Sequence, residues 1–165
     1  MNESEIMALL GERIGEPRAA ETLDRIGEEL LGELAGDPQG PKSTFRAIPL
    51  DLYGELPSGI RSAWLFALRK GFDHPPEYHP NSIQRMFALN RTGQFEVWDG
   101  ERWIRHRLDP GRGLSIPASV WHRAPALDED WVVASFHTAE ADALVEIVGD
   151  PASGEAGSSR VYLAG

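Results

Sequence analysis

Apolar residues in the first 35 positions recur at the spacing of a helix face. Steps of three and four residues place side chains on one side of an α-helix. Gly15, Glu16 and Pro17 separate two such series, and glycine and proline cluster again in "AGDPQGP" at residues 35–41. The pattern therefore predicts two helices that form a hairpin. The two series are Ile6, Leu9, Leu10 and Ile14, then Leu23, Ile26, Leu30, Leu31 and Leu34.

From residue 43 onward the pattern changes to short β-rich runs. Examples are "SAWLFALRK", "QRMFALN" and "WVVASFHT", which are separated by Gly, Pro and Asp residues. Regularly spaced short strands of this kind favour an antiparallel sandwich or barrel over a parallel α/β sheet. We expect residues 1–40 to form a helical extension and residues 41–165 to form a β-barrel.

One β-hairpin is predicted within the barrel. Asp99-Gly100 is a dipeptide that suits a two-residue turn between antiparallel strands. Such a turn pairs Trp98 with Glu101 and puts Trp98 and Trp103 on the same face of the hairpin.

Composition limits the classes of function. The 165 residues carry a net charge of −10 and include no cysteine. The charge disfavours binding to a nucleic acid, and no run of the chain is apolar enough for a membrane span. The acidic start "MNESEI" does not resemble a secretory signal, so we expect a cytoplasmic protein. Without thiolates, any metal must be held by imidazole and oxygen ligands.

Two segments carry the candidate chemistry. The first reads G-x5-E-x-H-x4-Q and the second reads G-x5-P-x-S-x2-H. These spacings resemble the paired motifs of the cupin superfamily, G-x5-H-x-H-x3-4-E-x6-G and G-x5-P-x-G-x2-H-x3-N, over roughly residues 45–137. The matching positions are Gly71, Glu77, His79 and Gln84 in the first segment, and Gly111, Pro117, Ser119 and His122 in the second.

The residue types in these segments suit a metal site. Alternate residues of a strand share a face, so Glu77 and His79 can both point into a barrel. Gln84 and His122 follow turns and approach the same barrel mouth from neighbouring strands. A site with two histidines and one carboxylate suits Fe(II), and also Mn, Ni, Zn or Co, and leaves coordination positions open.

Several positions depart from the family pattern. Glu77 replaces the first histidine, Gln84 replaces the acidic ligand, and Ser119 replaces the glycine of the second motif. The final asparagine is replaced by Ala126, and the closing glycine of the first motif comes two residues late, at Gly93. One interpretation is that the carboxylate has moved to the first position and the neutral amide of Gln84 weakly completes the metal shell as a fourth ligand, so that the ligand charge is preserved. The other is a barrel that has lost its metal and keeps a polar pocket.

Other polar residues leave alternatives open. His137 shares a strand face with Trp131, Val133 and Ser135, and the pattern does not tell whether this face is the inner one. If it is, His137 is a candidate general acid or base, or a residue that supports the metal ligands. His74 is either a ligand from a loop or simply exposed. Arg85 faces away from Gln84 and is expected at the surface.

The resemblance implies an all-β double-stranded β-helix, a jelly-roll cupin barrel preceded by two helices, and a homodimer. It also implies a metal-dependent enzyme that acts on a small organic molecule, most similar to a non-haem Fe(II) dioxygenase. The alternatives are a metal-assisted isomerase, lyase or cyclase, and a small-molecule binding or sensing module without turnover.

Overall fold

The computed structural model describes residues 1–154 and 157–162, and the predicted all-β class with two leading helices is confirmed. The helices are α1 (Glu3–Gly15) and α2 (Pro17–Gly36), with a short 3-10 helix at Leu50–Tyr53. The strands are β1 (Ser43–Ile48), β2 (Ser62–Leu68), β3 (Glu77–Tyr78), β4 (Gln84–Ala88), β5 (Gly93–Trp98), β6 (Trp103–Leu108), β7 (Gly113–Ile116), β8 (His122–Arg123), β9 (Trp131–His137), β10 (Val145–Val148) and β11 (Ser158–Val161).

Local signals set the helix ends where the sequence predicts them. Asn2 caps α1 through a reciprocal pair of hydrogen bonds, because its side chain accepts from the Glu5 amide and the Glu5 carboxylate accepts from the Asn2 amide. Pro17 occupies the first turn of α2, where a missing amide hydrogen costs nothing. Neither helix of the described ranges combines the length and apolar character that crossing a bilayer requires.

The strands form two antiparallel sheets. Their orders are β1-β2-β9-β4-β7 and β11-β10-β3-β8-β5-β6. Strands far apart in sequence are neighbours in both sheets; β2, for example, pairs along its whole length with β9. This is the jelly-roll arrangement, in which each sheet collects strands from both halves of the chain.

The central strands of the five-stranded sheet, β2, β9 and β4, are buried on both faces. Leu23 and Leu30 of α2 belong to the same apolar cluster as Val132, Ala134 and Phe136 of β9, so the helices cover the outer face of this sheet. The approach of α2 is close at Gly27, where an added Cβ would lie 3.1 Å from a methyl group of Val132. This double burial explains why every residue of β9 is buried instead of every second one.

The inner face of the same sheet meets the six-stranded sheet. Trp131 and Val133 of β9 cluster with Met86 of β4 and Phe95 of β5 between the two sheets. His137 lies on the same face of β9 as Trp131 and Val133, because even numbers of residues separate them. The question left open by the sequence is therefore decided: the face with His137 is the inner one.

The predicted register of the hairpin is wrong by two residues. Trp98 lies opposite Trp103 rather than Glu101, so the loop has four residues instead of two. The Asp99 carboxylate accepts hydrogen bonds from the amides of Glu101 and Arg102, both at 2.8 Å, and this side-chain contact closes the longer loop. A register shift of two residues leaves every side chain on the predicted face of the hairpin. The rings of Trp98 and Trp103 therefore still pack on the same side, with centroids 5.4 Å apart.

The expectation of a surface position for Arg85 is also wrong. Its side chain is only 5% exposed because α1 lies over it, and it donates two hydrogen bonds to the Glu3 carboxylate, at 2.7 and 2.8 Å. The same carboxylate accepts a third hydrogen bond from the Ser115 hydroxyl. Glu3 thus ties the first turn of α1 to β4 and β7.

We predict that the substitution Glu3→Gln lowers the free energy of unfolding by about 1–3 kcal/mol, because it leaves the buried Arg85 guanidinium without a counter-charge. Urea unfolding of the variant measures the effect. Glu12→Gln, at an exposed position of the same helix, is the control. Equal stabilities for the two variants would contradict the prediction.

Candidate metal centre

Strand pairing brings the two sequence motifs together. Glu77 of β3 lies directly opposite His122 of β8 in the antiparallel register. His79 follows β3 by one residue, and its side chain returns to the inner face because side chains alternate. All three residues are buried, with 7% exposure for Glu77, 2% for His79 and 1% for His122.

The turn of the second motif holds His79 in place. Ser119 has φ 64°, the left-handed conformation that glycine adopts most easily, and it stands at the position where the family pattern has glycine. Its amide donates a hydrogen bond to the carbonyl oxygen of His79 at 2.9 Å. The departure at Ser119 therefore keeps the backbone geometry of the motif.

Each of the two histidines has its Nδ1 atom engaged by the backbone. The Nδ1 atom of His79 lies 2.9 Å from the carbonyl oxygen of Val145, and that of His122 lies 2.9 Å from the carbonyl oxygen of Val120. A carbonyl oxygen only accepts, so both rings carry their hydrogen on Nδ1 when neutral. The Nε2 atoms are left with free lone pairs, which is the tautomer that binds metals through Nε2.

The free lone pairs converge on the Glu77 carboxylate. One ligand atom from each of Glu77, His79 and His122 lies within 4.8 Å of the other two, and the Nε2 atom of His122 is 3.5 Å from Oε1 of Glu77. Both Nε2 atoms are buried and lack hydrogen-bond partners. Ligand bonds of about 2.0–2.2 Å to a divalent ion fit between donor atoms at this separation. The residues present therefore fit a divalent metal.

Gln84 lies beside this group. It opens β4 on the inner face, is 7% exposed, and its Oε1 atom is buried without a hydrogen-bond partner. Gln84 and Glu77 line the same cavity. The four predicted ligands are thus collected in one region, and their role as ligands stays a prediction.

Burial controls the protonation of the histidines. It lowers the pKa of His79 to about 4, with a further contribution from neighbouring His122, and it lowers the pKa of His122 to about 4. Both rings are therefore neutral at pH 7, as metal ligands must be.

Two carboxyl groups lie next to each other at the centre. Burial raises the pKa of Glu77 well above its usual range, and nearby Glu146 adds to the effect. Burial also opposes ionisation of Glu146, but the neighbouring Glu77, Tyr162 and Arg160 side chains outweigh it and lower the pKa of Glu146 to about 2. A divalent ion would displace the proton from Glu77 and compensate the charge.

Sequence reasoning missed Glu146, Arg160 and Tyr162. Glu146 is 1% exposed in the middle of β10, and its Oε1 atom accepts a hydrogen bond from Nε of Arg160 at 2.9 Å. The signal available was an acidic residue between Val145 and Ile147 in an otherwise apolar strand. The ring of Tyr162 lies 5.9 Å from that of His79.

His74 is not simply exposed, so that alternative is wrong. Its side chain is 22% exposed, and its Nε2 atom lies 3.5 Å from Oε2 of Glu77. It also lines the cavity, which places it among the polar groups around Glu77.

His137 stands behind His79 rather than at the cavity wall. Its ring is perpendicular to that of His79, with centroids 5.1 Å apart. The hydroxyl groups of Ser82 and Ser135 hydrogen-bond with its two ring nitrogens, each at 3.1 Å. Both nitrogens are thus engaged, which favours positioning of His79; a direct catalytic role stays a prediction.

The cavity next to the centre has a volume of about 290 Å³. Its polar lining comes from His74, Glu77, Gln84 and Arg160, with Ser43 and Thr44 of β1. Its apolar lining is mostly aromatic. The aromatic residues are Phe45, Phe66, Phe72, Phe95 and Tyr162.

Comparison with known proteins gives a likeness in fold. No family model and no curated protein matches the chain in sequence. Among solved structures, DMSP lyase DddQ from Ruegeria pomeroyi superposes with a TM-score of 0.52 at 19% identity, over 69% of this chain and 54% of the lyase. The coconut allergen cocosin superposes with a TM-score of 0.53 at 18% identity, over 66% of this chain and 29% of the allergen.

These likenesses agree with the motif spacing. The chain has the jelly-roll fold of the cupins, as its two motifs predict. It spans about half of the lyase and less than a third of the allergen. A fold that is common to a lyase and a coconut allergen does not define an activity.

We predict that the metal-free protein loses stability as the pH falls below about 6.5, and that His137→Gln reduces this loss. Burial lowers the pKa of His137 well below its ordinary value, and His79 and His122 add to the effect. The unfolded chain therefore binds a proton at a pH where the folded chain does not, so the free energy of unfolding falls with pH.

Glutamine keeps a donor and an acceptor for the two serines but does not titrate. Between pH 6 and pH 5, we expect the free energy of unfolding to fall by up to about 1.4 kcal/mol more per pH unit in the wild-type protein than in the variant. Urea unfolding in the presence of a chelator measures both slopes. If the free energy of unfolding had the same pH dependence in the wild-type protein and in the variant, His137 would not be held neutral in the folded protein.

Proposed function

We propose that the chain is a metal-dependent enzyme that acts on a small organic molecule, with Glu77, His79 and His122 holding a divalent transition metal. The observation that carries this proposal is the pair of buried Nε2 atoms without partners next to the Glu77 carboxylate. Buried polar atoms without partners are costly, and they are retained where a ligand satisfies them. Because hydrogen bonds to backbone carbonyl oxygens fix the Nδ1 atoms, the Nε2 atoms are oriented to bind a metal ion.

The ligand chemistry favours Fe(II). Two imidazoles and one carboxylate suit Fe(II), Mn, Ni, Zn and Co, and the Gln84 amide oxygen adds a neutral ligand. When bound, such an ion supplies Lewis acidity, and iron also supplies redox chemistry.

The surrounding residues bind and orient the substrate. The cavity of about 290 Å³ accommodates a small organic molecule, and its phenylalanine side chains exclude water from the apolar part of that molecule. Arg160 brings a positive charge to the lining, which favours a substrate with an anionic group. His137 keeps His79 in orientation from behind.

A dioxygenase is the more specific form of this proposal. It is supported by the ligand set, which is the one that non-haem Fe(II) oxygenases use. The second candidate is a metal-assisted lyase, isomerase or cyclase. The observation that favours it is the group of Glu77, Glu146 and Tyr162, which can hold a proton and of which Glu77 and Tyr162 line the cavity.

The proposal also covers the oligomeric state and the cellular location of the protein. Half-buried Trp98 and Trp103 lie on the face of the six-stranded sheet that points away from the cavity, and aromatic residues of this kind suit a contact between two copies of the chain. We propose a homodimer in the cytoplasm, with residues 1–40 as an extension of the cupin domain at residues 41–165.

Oxygen uptake separates the two candidates. We expect the Fe(II)-loaded protein to consume oxygen with at least one member of a panel of small aromatic and aliphatic carboxylic acids, and we expect uptake to fall at least 100-fold in His122→Ala. An oxygen electrode measures uptake, with His106→Ala as the control, since His106 of β6 lies outside the cavity lining. Product formation without oxygen uptake would identify the second candidate. Turnover that survives in His122→Ala would contradict both.

A further inference from the structure

Glu77 is shared by two groups of potential ligands. Its Oε1 atom lies 3.5 Å from Nε2 of His122, whereas its Oε2 atom lies 3.5 Å from Nε2 of His74. The second group consists of His74, Glu77 and Glu146, and one ligand atom from each lies within 4.8 Å of the other two. One carboxylate therefore faces two sets of donors with its two oxygens.

His74 has the same tautomer as the histidines of the first group. Its Nδ1 atom lies 2.5 Å from the carbonyl oxygen of Pro75, which can only accept a hydrogen bond. The neutral ring therefore has a lone pair on Nε2, and this lone pair faces the Oε2 atom of Glu77. A divalent cation at this position would be bound by the Nε2 atom of His74 and by the Oε2 atom of Glu77 together.

Glu146 supplies the third donor. It is 1% exposed, and Arg160 is bonded to its Oε1 atom. Its Oε2 atom is buried and has no hydrogen-bond partner, and the same is true of Oε2 of Glu77. Two carboxyl groups, each with a buried oxygen that lacks a hydrogen-bond partner, therefore lie next to one imidazole lone pair, and together they form a donor set for Mn(II), Fe(II) or Zn(II).

We propose that His74, Glu77 and Glu146 form a second divalent-cation site, joined to the first by the bridging carboxylate of Glu77. This inference rests on the proposed metal at Glu77, His79 and His122. The second ion binds more weakly than the first, because an ion at the first site already compensates the negative charge of Glu77 and because Arg160 compensates that of Glu146. The pair of ions would clamp an anionic oxygen of the substrate from two sides, as in other two-metal sites.

Metal stoichiometry tests the proposal without any substrate. The probe is Mn(II), titrated into the metal-free protein by isothermal calorimetry, with bound manganese counted after gel filtration at saturating Mn(II). We expect two ions per chain in the wild-type protein, with the second dissociation constant at least ten times the first. His74→Ala and Glu146→Gln should each bind one ion, and the control His106→Ala should bind two.

Electron paramagnetic resonance adds a signature of the bridge. Two Mn(II) ions joined by one carboxylate couple magnetically, so the six-line spectrum of isolated Mn(II) should give way to a broad coupled spectrum as the second ion binds. His74→Ala should keep the isolated spectrum. Because His74 lies in a half-exposed loop, this variant is expected to fold even if Glu146→Gln does not.

The outcomes separate this inference from the proposed function. One ion per chain in the wild-type protein, with no change in His74→Ala, would overturn the second site and leave the first intact. Two ions in both His74→Ala and Glu146→Gln would also overturn it. No bound ion in the wild-type protein would overturn both proposals.

Discussion

Two hydrogen bonds between histidine side chains and the backbone determine what this site can do. Because Nδ1 of His79 faces the carbonyl of Val145 and Nδ1 of His122 faces the carbonyl of Val120, the Nε2 atoms cannot act as donors while the rings are neutral. Burial keeps the rings neutral by lowering their pKa values to about 4. The interior therefore contains two imidazole lone pairs beside the Glu77 carboxyl group, and neither Nε2 atom has a hydrogen-bond partner among the described residues. Most folds avoid such an arrangement, and a divalent cation resolves it.

The fold produces this arrangement by strand pairing. Glu77 and His122 are 45 positions apart in sequence, yet they are direct partners in the six-stranded sheet. The helices contribute indirectly, because they cover the outer face of the five-stranded sheet, and Gln84 and His137 project from its inner face. Arg160 of β11 and Tyr162, which follows β11, line the cavity together with Glu77, and Glu146 of β10 accepts a hydrogen bond from Arg160. The fold thus brings residues from distant segments of the chain to one site.

The parts of the structure set by local signals could be predicted from the sequence. The helix ends follow from Gly15 and Pro17, and the common orientation of Glu77 and His79 follows from strand alternation. The hairpin register failed because the Asp99 side chain stabilises a longer loop, a contact that the dipeptide alone does not indicate. Arg85 was misplaced because alternation tells which face a residue occupies but not what covers that face. Glu146 was missed because its strand lies outside both motifs, and only tertiary pairing of β10 with β3 brings it to Glu77.

A crystal structure of protein soaked with Mn(II), with anomalous scattering recorded at the manganese edge, tests directly whether Glu77, His79 and His122 hold a metal ion. We expect an anomalous peak about 2.0–2.3 Å from Nε2 of His79, Nε2 of His122 and an oxygen of Glu77. A manganese peak that is bounded by other residues would contradict this metal site. So would crystals soaked at saturating Mn(II) that show no peak between these three residues and an ordered proton donor hydrogen-bonded to both Nε2 atoms.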